Sequence, residues 1–282
     1  MPDVPTLVKW AGGKKQLLEQ FKPFFPKKIN RYHEPFTGGG SVAFHIIQNH
    51  NPQKVYLSDT NEELVNCYNV VKRNVKELIW ALKRFKEMHD KETYYKIRSQ
   101  NPTKFDAVTR AARFIYLNKT CFNGLYRVNS RGQFNVPIGS YENPAILQEK
   151  DLRAISKLLK KAIIVSASFE KVVKRAKKGD FVYFDPPYYP LNKQSFTTYT
   201  KEKFLDKEQK KLADVFKKLD QRGCLVMLSN SDTPFIKKLY KNYNLHFVKA
   251  RRMINCDATK RGAINELVVT NYQTEKQRTL FL

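Results

Sequence analysis

The segment Asp185-Pro186-Pro187-Tyr188 sets a carboxylate, two prolyl carbonyls and an aromatic ring within four residues, directly after the apolar run Phe181–Phe184. An exocyclic amino group conjugated with its ring is a poor nucleophile, because its lone pair is delocalised. Two acceptors change that. The Asp185 carboxylate and the Pro186 carbonyl can each take one amino hydrogen, favouring a more pyramidal nitrogen whose lone pair faces an electrophile. The prolines stiffen the turn and remove competing N–H donors, and Tyr188 offers a π face to a planar ring. At average residue usage a chance match in a chain of this length is on the order of one in a thousand. A Pro-rich strand exit accounts for the same prolines without any chemistry.

Two other segments could hold a ligand beside it. Glu34-Pro35-Phe36-Thr37-Gly38-Gly39-Gly40-Ser41 is a strand end, a glycine run and the entry to the helical pattern Val42–Gln48, a geometry that lets backbone approach a ligand closely. Downstream, a second strand-like run ends at Ser58-Asp59, where a Rossmann-like fold keeps an acid for ribose hydroxyls. NAD, FAD and nucleoside cofactors all suit this pair, and a glycine turn of purely structural purpose remains open. In Val8-Lys9-Trp10-Ala11-Gly12-Gly13-Lys14 a Trp and a Lys flank glycines. The functional reading is an indole over an adenine ring and an ammonium near a cofactor carboxylate; the alternative is a surface loop with an anchoring Trp. The five histidines have no metal-ligand spacing, and Cys67, Cys121, Cys224 and Cys256 form no CxxC pair, so neither a zinc site nor a disulfide framework is indicated.

Positioning these segments requires an alternating sheet. Tyr32–Glu34, Val55–Ser58, Ile163–Ala167, Phe181–Phe184, Leu225–Ser229, His246–Ala250 and Leu267–Thr270 read as seven strands. Amphipathic stretches such as Gln209–Leu219 and Thr233–Tyr240 lie between them, which predicts an α/β fold of Rossmann type with Asp185 at the carboxyl end of a strand. The interval 61–162 is far longer than a crossover needs and reads as an inserted, mainly helical module. Within it, Leu125–Val128 and Phe134–Val136 flank Asn129-Ser130-Arg131-Gly132, a β-hairpin pattern.

The chain of 282 residues carries 52 Lys and Arg against 26 Asp and Glu, a formal net charge of +26. That excess favours a polyanion, nucleic acid first, through counterion release; a generally lysine-rich composition is the competing explanation. Residues 61–165 hold 20 of the basic and 10 of the acidic side chains, so the excess is spread along the chain and does not locate a site. With no apolar run of membrane-spanning length and no secretory leader pattern, a cytoplasmic protein is expected, with residues 273–282 as a loose tail.

Taken in order, KWAGGK, EPFTGGGS, a strand ending in Asp59, a long insertion and DPPY resemble the Dam-like, or alpha-group, family of DNA adenine-N6 methyltransferases. The resemblance spans nearly the whole chain. Cys121-Phe122-Asn123-Gly124-Leu125-Tyr126-Arg127-Val128-Asn129 and Gly132-Gln133-Phe134-Asn135-Val136-Pro137 are similar to that family's target-recognition hairpin. It implies a Rossmann-like seven-stranded class I methyltransferase domain, residues 1–61 and 163–272, with a target-recognition domain at 62–162. It implies S-adenosylmethionine as cofactor, leaving as S-adenosylhomocysteine, with Trp10, Lys14, Glu34, Phe36, Gly38, Asp59 and Asp185 around it. Asp185, Pro186 and Tyr188 would hold an adenine flipped out of double-stranded DNA, with direct transfer and no metal or covalent enzyme intermediate.

For recognition the resemblance implies that Arg127 reads a guanine bidentately and Pro137 meets a thymine methyl. Phe122, Asn123 and Leu125 would fill the disturbed base stack, a set suited to GATC. It implies a monomer in the cytoplasm, nucleoid-associated in a prokaryote or encoded by a virus, solitary or paired with a restriction nuclease that it need not bind. Two segments depart from the family pattern: Tyr189-Pro190-Leu191, and Asn255–Thr259 ahead of Lys260 and Arg261. A DNA-binding protein without activity, and a protein-glutamine or RNA methylase, are the alternative readings.

Overall fold

The computed structural model describes residues 6–191, 204–251 and 263–274. All seven expected strands form: β1 (Arg31–Glu34), β2 (Lys54–Asp59), β3 (Ala162–Ser166), β4 (Phe181–Phe184), β5 (Leu225–Ser231), β6 (Asn244–Arg251) and β7 (Ala263–Thr270). They make one sheet in the order β3-β2-β1-β4-β5-β7-β6. The first five strands run parallel, and β7 is antiparallel to both of its neighbours. Every residue of β4 is buried, as expected of a parallel strand covered on both faces. Its side chains alternate: Phe181 and Tyr183 join one core with Tyr32, Met227 and Val268, while Val182 and Phe184 join another with Val226, Leu228 and Val269.

From β1 the chain winds outward through β2 and β3, then returns to β4 and winds the other way. The crevice of an open α/β sheet opens at such a reversal, outside the carboxyl ends of the strands. Glu34 and Asp185 therefore end on the two sides of one crevice.

The helices are α1 (Leu18–Phe21), α2 (Ser41–His50), α3 (Glu62–Arg73), α4 (Val75–Glu87), α5 (Lys91–Ser99), α6 (Ala107–Thr120), α7 (Glu149–Leu159), α8 (Val172–Arg175), α9 (Asp206–Gln221) and α10 (Pro234–Leu239). Their starts are written in short polar side chains: Asn61 caps α3, Asp90 caps α5, Asp106 caps α6 and Thr233 caps α10. Five helices, α3 to α7, fill the long interval between β2 and β3. Of these, α3 packs on β2 and β3 while α6 packs on α3, and one buried core runs from Tyr32 and Leu57 of the sheet to Leu82 and Ile115 of the helices.

The hairpin turn forms as expected, with Gly132 at φ +76° and Asn129 accepting from Arg131 and Gln133 backbone N–H groups. Its ladder is short, limited to bridges at Cys121–Ile138 and Val128–Phe134. The Cys67, Cys121 and Cys224 thiols are buried and free. Of the expected tail, Gln273 and Thr274 are described, and Thr274 is buried. Cys256, Asn255–Thr259, Lys260 and Arg261 lie outside the described residues. Among the described residues no helix is long and apolar enough to cross a membrane.

Candidate active site

Asp185 leaves the end of β4 with its Oδ1 held twice: Lys14 Nζ lies 2.8 Å away, and Ser229 Oγ of β5 donates at 2.9 Å. The Tyr183 hydroxyl steadies Ser229 at 2.8 Å. Oδ2 has no hydrogen-bond partner among the described residues. Lys14, only 3% exposed, also donates to the Gly12 carbonyl and sits 4.7 Å from the centre of the Tyr188 ring. The Tyr188 hydroxyl is anchored in turn, donating at 2.6 Å to Glu266 of β7. Three strands and the amino-terminal loop thus fix one carboxylate and one aromatic ring.

Across the crevice, buried Glu34 accepts from the Tyr32 hydroxyl at 2.6 Å. Asp59 accepts from the backbone N–H of Gly38 at 3.1 Å and of Asn61 at 2.9 Å, tying the glycine run to the end of β2. Burial raises the pKa of all four carboxyls. For Asp185 the charge and hydrogen bond of Lys14 pull it back. Glu34 is lifted well above the usual range by burial, against the Tyr32 hydrogen bond and with help from the charge of Asp185. Asp59 is raised by burial against its backbone N–H donors, and Glu266 by burial against Lys14 and Tyr188. Asp185, Glu34 and Glu266 share one buried ammonium, with Asp59 nearby held only by backbone N–H groups, an arrangement that favours entry of a further positive charge.

The glycine run is shaped around Trp10. Gly38 takes φ +48°, and a Cβ there would lie 2.7 Å from Trp10 Cδ1. Gly38→Ala is therefore expected to lower stability by about 1–3 kcal/mol and to shift the Trp10 emission, both read from thermal unfolding followed by tryptophan fluorescence; an unchanged midpoint would refute it. Phe36 turns to a different environment, stacking on Phe169 at 5.4 Å and meeting Phe184 and Phe204.

On its other side Trp10 stacks on Tyr126 of the hairpin, 5.6 Å between ring centres. Asn118 of α6 clamps the same joint: it accepts from Lys9 N at 2.8 Å and donates to the carbonyls of Lys9 at 2.8 Å and Gly124 at 2.9 Å. Arg127 is pre-oriented by Asn135, donating from Nε to Oδ1 at 2.8 Å and from Nη2 to the Asn135 carbonyl at 3.3 Å. Phe122 is 50% exposed, Asn123 holds a positive φ of 54°, Pro137 is exposed and Leu125 half-buried. Phe36 apart, which packs among Phe169, Phe184 and Phe204, the expected residues fall into two groups, one in the crevice and one on the hairpin, joined through Trp10.

Sequence reasoning missed Ser229, Glu266 and Asn118, and also Gln209 of α9 and Asn230 of β5, which bond the backbone of Pro187 and Tyr189 on either side of Tyr188. A signal existed for Ser229 and Asn230, since Leu225–Ser231 ends an apolar strand in a polar run beside β4. Glu266 carried none, because only the β5–β7 register sets it opposite Ser231. Among the described residues no group of three His, Cys, Asp or Glu side chains is placed to hold a metal ion.

Residues 10–254 match the model of a family described as D12 class N6 adenine-specific DNA methyltransferase. The chain is 48% identical to the type II methyltransferase M.MjaIII of Methanocaldococcus jannaschii, covering 96% of this chain and 100% of that protein. It is 46% identical to the type II methyltransferase M1.LlaDCHI of Lactococcus lactis subsp. cremoris, covering 94% of each. It is 37% identical to the DNA adenine methylase of Vibrio cholerae, covering 93% of this chain and 94% of that one.

Proposed function

The chain belongs to the D12 class of N6 adenine-specific DNA methyltransferases, and from that premise we propose how its crevice and its hairpin divide the work. The observation that carries the reading is the asymmetric holding of Asp185: Oδ1 is occupied by Lys14 and Ser229, which leaves Oδ2 as an acceptor. Together with the Pro186 carbonyl, Oδ2 receives the two hydrogens of the adenine N6 amino group and directs its lone pair out of the ring plane. Tyr188, its hydroxyl tied to Glu266, supplies the face on which an adenine flipped from the duplex stacks.

S-adenosylmethionine, when bound, supplies an electrophilic methyl group on a sulfonium. The residues fit such a molecule: a crevice with four raised carboxyls and one ammonium favours a ligand bearing a sulfonium and an ammonium. In this reading Asp59 accepts from a ribose diol, while Gly38, in contact with Trp10, and Trp10, stacked on Tyr126, border the ligand through their edges. Transfer is direct, with no covalent enzyme intermediate.

DNA is held by the general positive charge, and the hairpin within residues 62–162 chooses the site. Arg127, with Asn135 holding one edge of its guanidinium, presents its remaining N–H groups as a fork for guanine. Pro137 lies against a thymine methyl, and Phe122, Asn123 and Leu125 support the opened stack, a set that suits GATC as the target. Transfer of labelled methyl groups to duplexes, with mapping of the methylated bases, tests this. Methylation confined to adenine in GATC is the expected result, and methylation spread over other sites would remove the assignment. Arg127→Ala should lose about 1–3 kcal/mol of discrimination at the guanine it reads; an unchanged site preference would sink its role.

A further inference from the structure

Gln209 of α9 and Asn230 of β5 are both 0% exposed. Gln209 extends the apolar stripe of α9 formed by Leu212, Phe216 and Leu219. Two buried primary amides are costly unless every group is paired, and here the pairing runs in one direction. The Tyr189 backbone N–H donates to Asn230 Oδ1 at 3.1 Å. Asn230 Nδ2 donates to Gln209 Oε1 at 3.0 Å, and Gln209 Nε2 donates to the Pro187 carbonyl at 3.0 Å. Asn230 Oδ1 also accepts from Ser231 N at 2.8 Å. The two ends fix the polarity: a backbone N–H can only donate and a carbonyl can only accept, so neither amide can flip without facing like against like.

We propose that Gln209 and Asn230 are positioning residues for the catalytic turn, a buried amide relay that grips the backbone on both sides of Tyr188 and selects which prolyl carbonyl faces the substrate. The Pro187 carbonyl is drawn into the fold by Gln209, leaving the Pro186 carbonyl as the partner of Asp185. Tyr188 is held by the relay through its flanking backbone and by Glu266 through its hydroxyl. The inference rests on the reading of Asp185, Pro186 and Tyr188 as the adenine-holding residues.

The test uses the full chain carrying Gln209→Glu or Asn230→Asp. Each change keeps side-chain size and, when ionised, replaces one donor of the relay by an acceptor, so that Pro187 or Gln209 Oε1 meets a carboxylate. Protonation of that carboxyl restores the donor. Burial and the facing carbonyl keep the introduced carboxyl protonated, and so still a donor, at neutral pH. Steady-state methyl transfer is expected to show kcat near wild type there and lowered by about 10- to 100-fold once alkaline pH ionises it, with KM for DNA and for S-adenosylmethionine within about twofold of wild type. The ratio of variant to wild-type kcat should climb as pH falls, a signature that loss of packing alone would not produce. A ratio that stays independent of pH from acid to alkaline conditions, whether low or equal to one, overturns the relay. If one variant fails to fold, the other reports the same link. Asp185→Ala assayed in parallel separates the two levels: if it retains transfer, the adenine-holding reading fails, and if it is inactive while both relay variants behave as wild type at every pH, only the relay fails.

Discussion

Asp185→Ala is expected to lower the rate of methyl transfer by at least about 10²- to 10³-fold, the range for losing one preorganised group at the reacting centre, while DNA affinity stays close to wild type. The two halves of this result have separate causes. Affinity for DNA comes largely from phosphate contacts spread over a chain of net charge +26, and Asp185 contributes nothing positive to it. Reactivity depends on the acceptor at Oδ2, which the alanine removes together with the partner of Lys14 Nζ. Leaving a buried ammonium without its carboxylate destabilises the fold, although Glu266 and Glu34 remain close enough to interact with it. Single-turnover transfer on a saturated duplex, measured beside equilibrium DNA binding, distinguishes lost chemistry from lost fold. Transfer within tenfold of wild type would show that the amino group is activated elsewhere.

The same residue illustrates what the sequence could and could not reveal. Phe181–Phe184 announces a buried parallel strand by its unbroken apolar run, and Pro186-Pro187 marks its exit, so the position of Asp185 at a strand end was legible without coordinates. The contacts that orient it were not. Ser229 and Glu266 reach the site through lateral strand pairing, and pairing order is a property of the whole sheet. Strand β7, last in sequence, is inserted between β5 and β6, which no local pattern encodes.

The hairpin turn was legible for a local reason, since Asn129 and Gly132 carry turn chemistry at fixed spacing. Its short ladder was not, because the Asn135 N–H still pairs with the Arg127 carbonyl while the Asn135 carbonyl accepts from the Arg127 guanidinium instead of a backbone N–H. Gln209 is an intermediate case. A Gln on the apolar stripe of an otherwise amphipathic helix is visible as an anomaly in the sequence, yet its meaning appears only when β5 brings Asn230 against it.

Lys14→Met should separate the charge of the crevice from its shape. Burial raises the Asp185 pKa, and the charge of Lys14 is the largest influence pulling it down, followed by the Lys14 hydrogen bond. Methionine fills similar space without charge, so only Ser229 remains to favour the ionised form and the pKa climbs further. An acceptor is needed at Oδ2, and the carboxylate supplies it while the neutral acid does so poorly. The acid limb of the kcat profile must therefore move to higher pH, each unit of pKa above the assay pH removing about tenfold of the ionised population. Raising the pH should restore much of the lost rate, and an acid limb that stays in place would refute the role of Lys14.

Stability must shift in the matching direction. A carboxyl whose folded pKa lies above its unfolded value contributes stability that is fully present below the unfolded pKa and is lost as pH rises through the folded one. Asp185 is such a group in the wild type and more so without Lys14. The variant should therefore gain on the wild type in thermal unfolding as pH falls, even as its catalytic rate falls further behind. Opposite pH trends in stability and activity from one substitution are what a buried carboxylate held ionised by a single ammonium requires, because the charge that the reaction needs is the charge that the fold resists.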